Sequence, residues 1–104
     1  MAKANEHTGR GIGSALRLPC GVELKNRLIK ASMSDSLGDG RGNPTDRQVR
    51  LYERWARGGA ALSLIGEVQT NPYFPEKPGN LVLGSLSDRI GLRLLAERGS
   101  TDGA

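Results

Sequence analysis

Apolar and polar positions alternate in short stretches along the chain, and glycines and prolines punctuate them. Leu16 and Leu18 precede Pro19-Cys20-Gly21, and Val22 and Leu24 follow it, so two brief apolar runs joined by a turn predict a small hairpin. A strand is expected next, from Arg27 to Ser34. It begins with Leu28-Ile29 and becomes small and polar through Lys30-Ala31-Ser32-Met33-Ser34. The segment SLGDGRGNP, residues 36–44, predicts a loop, because its glycines and closing proline exclude regular structure. Thr45 and Gln48 carry a capping-box signature, in which Thr45 accepts from the Gln48 amide and the Gln48 side chain reaches back to the Thr45 amide. The helix they open carries Val49, Tyr52, Trp55 and Ala56 on one face, and Trp55 is expected to pack against the sheet rather than touch a ligand. Gly58 and Gly59 end it, one of them in the left-handed conformation.

The run AALSLIGE from Ala60 to Glu67 is apolar enough to predict a strand covered on both faces. Two parallel strands with a helix between them make one right-handed crossover unit. Residues 68–79, with Pro72, Pro75 and Pro78, predict an irregular loop at the same end of the sheet as Ser34, and Asn80 to Gly84 an extended segment. A second helix is expected from Asp88 to Arg98, capped by Ser87, with Ile90, Leu94 and Leu95 inward and Gly99 at its end. Residues 1–14 are polar and glycine-punctuated and predict a flexible leader, leaving 15–104 as the folded part. Gly9, Gly11 and Gly13 do not make a dinucleotide fingerprint, since no strand precedes them and the second spacing is wrong.

Composition narrows the classes. At 104 residues the chain can hold about two strand-helix units, and with 37% apolar residues and 4% aromatic ones its core is thin. The net charge of +4 comes from basic residues scattered along the chain, with no arginine-rich run or aromatic stacking platform, which argues against a nucleic-acid partner. Cys20 and His7 are each the sole residue of their type, so neither an internal disulfide nor a His/Cys metal cluster is expected. The first fifteen residues lack the apolar core of a signal peptide and no run is long enough to span a bilayer, so the expected setting is cytoplasmic, without a membrane partner. The 36–44 loop lacks the Lys-Ser/Thr of a P-loop and the acidic spacing of an EF-hand.

The candidate chemistry lies at the carboxyl ends of the two strands, where parallel α/β folds place their ligands. Taken alone, Ser34 is a serine that closes a strand and bonds its own loop, Met33 a core residue, and Glu67 a strand-end charge. Asp35 and Asp39 make an acidic pair on the loop, but with no partner base, histidine or metal they read as solvated.

LKNR at residues 24–27, Ala31-Ser32-Met33-Ser34, LYERWARGG at 51–59, and GEVQ at 66–69 followed by Asn71-Pro72 resemble the beginning of the old yellow enzyme family of FMN oxidoreductases. The resemblance covers roughly residues 15–104. It implies an α/β fold, the N-terminal portion of a TIM (β/α)8 barrel, with about two βα units plus a short hairpin and the barrel incomplete. It places Ala31, Ser32, Met33 and Ser34 against the FMN ring, with Ser32 standing where the family often has proline. Ser34 falls near a flavin carbonyl, where a hydroxyl could donate a hydrogen bond to reduced flavin. Glu67 falls at or beside a backbone contact to the pyrimidine side.

The implied function is that of the N-terminal part of an oxidoreductase that moves hydride from NAD(P)H through FMN to an electrophilic small-molecule substrate. The family's His/His or His/Asn pair, its proton-donating Tyr and its phosphate-binding residues lie on later strands and match nothing here, so no catalytic residue is assigned and the chain alone is expected to be inactive. The competing expectation is a truncated, non-catalytic α/β fragment that binds no specific ligand or associates through its open strand edges.

Overall fold

The computed structural model describes residues 11–73, 78–84 and 87–104, an α/β arrangement of two helices and short strands. Antiparallel strands β1 (Leu16–Arg17) and β2 (Glu23–Leu24) form the expected hairpin. Its turn closes through the Gly21 amide on the Leu18 carbonyl and the Leu18 amide on the Val22 carbonyl, with Gly21 at φ +95°. Of the segment expected to be a flexible leader, residues 1–10 lie outside the described residues. Gly11 to Ser14 make a turn that is tied to the Arg27 amide through the Ile12 carbonyl, 2.8 Å.

Strand β3 (Ile29–Lys30) pairs in parallel with β4 (Leu62–Ser63), and helix α1 (Asp46–Arg57) makes the connection. Thr45 caps α1 by accepting from the Gln48 amide at 3.3 Å, and its hydroxyl donates to the Leu37 carbonyl at 2.6 Å, fixing where the loop ends. The other half of the expected capping box does not form. The Gln48 side chain is buried and donates instead to the Asp35 carboxylate, because that partner gives its amide a charged acceptor inside the fold. Gly59, at φ +108°, ends the helix in the left-handed region, and its carbonyl accepts from Asn26 Nδ2 at 2.6 Å.

Val68 and Gln69 were expected in a loop but form strand β5 (Val68–Gln69), parallel to β6 (Leu81–Val82). The prolines that disfavour a ladder begin only at Pro72, so the amides of Val68 and Gln69 remain available. The loops on either side meet backbone to backbone. The Gly38 amide donates to the Gly79 carbonyl at 2.9 Å and the Val82 amide to the Gly42 carbonyl at 2.8 Å.

Helix α2 (Arg89–Gly99) lies against α1 and is capped by Asp88, which accepts from the Gly91 amide at 2.9 Å. Ser87, the expected cap, closes the preceding turn by donating to the Val82 carbonyl. Val49, Tyr52, Leu81 and Leu95 form the core, with Trp55, Ile65 and Leu94 packed around them. Ile90, expected inward, is 85% exposed. It sits about 140° around the helix from Leu95 at 100° per residue, so it faces away once Leu95 is seated. The strand expected to be covered on both faces is covered on one, with Leu62 36% and Leu64 47% exposed. Ala61, on the side facing α1, is buried, while Leu62 and Leu64 on the other side remain partly open to solvent.

Candidate functional site

The tips of β3 and β4 come together at one end of the sheet. Pairing begins in register, Ile29 with Leu62 and Lys30 with Ser63, and resumes beyond them with a parallel bridge between Ser34 and Gly66. The chain takes four steps from Lys30 to Ser34 but three from Ser63 to Gly66, so Ala31, Ser32 and Met33 face only Leu64 and Ile65. This is a bulge, and it swings the small-residue tip of the first strand out of the plain ladder. Gly66 permits the approach: a Cβ there would stand 2.8 Å from Ser32 Cβ and 3.2 Å from the Met33 amide nitrogen.

The two tips line an open concavity of about 460 Å3, bounded by Ser32, Met33, Ser34, Ile65, Gly66, Glu67 and Val68. Four of the five candidate residues therefore share one surface. The fifth, Ala31, does not line it, and its carbonyl accepts from Lys30 Nζ at 2.6 Å. Met33 is exposed rather than core. The Glu67 carboxylate accepts from Asn80 Nδ2 at 3.2 Å, and the same amide donates to Gln69 Oε1 at 3.0 Å, tying the strand end to the segment that leads into β6. A second hollow at this end, about 230 Å3, lies between the two loops among Arg41, Asn43, Thr70, Val82 and Ser87.

Behind the tips sits a polar cluster that the sequence did not announce. Lys30 Nζ lies 4.4 Å from the Trp55 ring centre and 5.1 Å from that of Tyr52, and the two rings meet edge to face. Burial pulls the Lys30 ammonium below the ordinary lysine range, with the Asp35 carboxylate opposing. Burial, and after it the same carboxylate, pushes the Tyr52 phenol up. The two loop aspartates thus have separate tasks. Asp35 accepts from Gln48 and from the Leu37 amide, while Asp39 accepts from the Arg41 and Asn43 amides and closes the loop on itself. Burial favours the protonated form of Asp39, but those amides outweigh it and hold the carboxyl below the usual range. The available signal for the cluster was a lysine in an otherwise apolar strand facing a helix with two aromatic residues on one face.

Among the described residues no group of three His, Cys, Asp or Glu side chains could hold a metal, and no helix is long and apolar enough to cross a membrane. No protein-family model matches the chain. It is 37% identical over 71 residues to the NADH-dependent flavin oxidoreductase iliE of Hypocrea jecorina (strain QM6a), a match covering 67% of this chain and 18% of that protein. An iliE of the same description from Neonectria sp. (strain DH2) is 38% identical over 68 residues, covering 65% of this chain and 8% of the relative. The NADH-dependent flavin oxidoreductase iccE of Talaromyces variabilis is 32% identical over 60 residues, covering 58% and 14%. The matched stretch thus spans less than a fifth of each of these relatives, and over that stretch the chain is similar to NADH-dependent flavin oxidoreductases.

Proposed function

We propose that this chain supplies the first wall of a flavin site in an FMN-dependent oxidoreductase built on a (β/α)8 barrel, and that it does not turn over substrate by itself. The observation that carries the reading is the parallel bridge from Ser34 to Gly66, which sets the two tips side by side around one concavity. The similarity to proteins named NADH-dependent flavin oxidoreductases supplies the ligand class. When bound, FMN would accept hydride from NAD(P)H and pass it to an electrophilic small molecule.

The residues fit the ring portion of such a ligand. Ser32 and Ser34 offer hydroxyls, Met33 a polarisable edge, and Gly66 a backbone that a planar group can approach. They do not fit the phosphate, since among the described residues no lysine or arginine lines the concavity. The role of the tip residues is to hold and orient: Ser34 would donate to the ring edge, and the Glu67 carboxylate, held by Asn80, would keep the second tip in place. The setting of such an enzyme is proposed to be cytoplasmic.

Titrating the full chain against FMN, followed by flavin fluorescence, tests this reading. A saturable change is expected, and riboflavin should bind comparably to FMN because no lysine or arginine among the described residues lines the concavity. Absence of a saturable change would overturn it and favour a non-catalytic chain that associates through its open strand edges and the exposed face of Ile29, Leu62 and Leu64.

A further inference from the structure

The register slip beside the concavity leaves backbone groups that a plain ladder would have paired. In a regular parallel ladder, with Lys30 opposite Ser63 and the Leu64 amide bonded to the Lys30 carbonyl, the Leu64 carbonyl would take its next bond from the Ser32 amide. Here the donor is Lys30 Nζ, at 3.0 Å, and the same ammonium donates to the Ala31 carbonyl at 2.6 Å. One side chain therefore holds a carbonyl on each strand at the point where the two lose register. The rings of Trp55 and Tyr52 cover that ammonium from the helix side, and both rings belong to α1.

We propose that Lys30 is a positioning residue that pins the bulge, fixing Ser32, Met33 and Ser34 against Gly66 and so presetting the surface offered to a ligand. A hydrophobic residue of equal length would fill the same space but leave the Ala31 and Leu64 carbonyls without this donor, and the tip would be free to slide toward the plain register. The ligand half of this inference rests on the flavin reading. The pin does not, because it is a property of the protein without any ligand.

Amide hydrogen exchange by NMR on the full chain tests the pin in Lys30→Met and Lys30→Arg. The Ser32 amide, which bonds the Leu64 carbonyl only in the plain register, reports on the slip, and the Ala61 amide, which donates to the Leu28 carbonyl, is the reference. In Lys30→Met the Ser32 amide should gain protection at least tenfold relative to Ala61. Lys30→Arg, which keeps a charged donor, should return most of it to the parent level. An unchanged Ser32 amide, or equal changes at both amides, would overturn the pin.

A second measurement needs no variant. Trp55 is the sole tryptophan, so the Lys30 ε-methylene protons of the unmodified chain should be displaced upfield by its ring current relative to those of Lys25, whose ammonium donates to the Asp102 carbonyl. Lys30 resonances that coincide with those of Lys25 would also overturn it. FMN titration is separate: a chain that binds no flavin yet shows the protection difference loses the flavin reading and keeps the pin.

Discussion

The two faces of the β3–β4 pair have opposite fates. On the side of Lys30, Ala61 and Ser63, helices cover the sheet and Tyr52 and Leu95 are fully buried; on the side of Ile29, Leu62 and Leu64, among the described residues, apolar side chains meet solvent. The covered side carries Lys30 and Ser63 and the open side Ile29, Leu62 and Leu64, so hydrophobicity alone did not decide which was filled. The helix-facing side is filled because α1 brings aromatic residues that fit a cation and a small residue, Ala61, beneath them. The other side carries the branched residues typical of a strand buried on both faces, without the partner layer that such strands ordinarily have.

The sharpest way to break this contrast is to empty the covered side. Leu95→Ala should cost about 2–5 kcal/mol, enough to abolish cooperative urea unfolding in a domain of marginal stability, read by circular dichroism. The seam between the faces comes next. Gly66→Ala should cost about 1–3 kcal/mol in the denaturant midpoint by overpacking against Ser32, and it should abolish any saturable flavin signal. On the open side, Ile29→Thr keeps a branched strand former at a residue 51% exposed, and stability should stay within about 1 kcal/mol of the parent. A loss as large as that of Leu95→Ala would show that something covers the face in solution.

The smallest effect belongs to the outer surface of the helix pair, where Glu53 accepts from Arg98 at 2.9 Å and lies 3.6 Å from Arg57. The hydrogen bond from Arg98, followed by the two guanidinium charges and against a desolvation cost, holds the Glu53 carboxyl below its ordinary value of 4.5. Its contribution is therefore present above that value and lost as pH falls through the lower folded one. Thermal melts of the parent and Glu53→Gln should differ by about 2 °C at most at neutral pH, and the difference should vanish in acid and in high salt.

What the sequence made legible was local. Thr45 and the Gly58-Gly59 pair marked the ends of α1, the turn at Pro19-Cys20-Gly21 marked the hairpin, and the small residues after Ile29 marked a strand tip. What it hid depended on partners far along the chain. Gln48 left its capping box for Asp35, and Ser87 gave up the cap to Asp88 because Val82 offered its hydroxyl a carbonyl. The bulge was invisible for the same reason, since a register is a relation between two strands and neither one records it. Ser32, Met33, Ser34 and Glu67 were found as candidates through the family resemblance, and their common surface became apparent only with the Ser34–Gly66 bridge in place.

The glycine contacts between the two loops have a practical consequence for anyone re-engineering this end of the molecule. A Cβ on Gly42 would stand 2.6 Å from that of Val82, and one on Gly79 would strike the Ser36 backbone. At Gly79 main chain stands against main chain, with no side chain to trim as a compromise, and at Gly42 the obstacle is the Val82 side chain itself. Transplanting either segment into another scaffold, or randomising one in a library, therefore requires carrying its counterpart along, and the two behave as a single cassette.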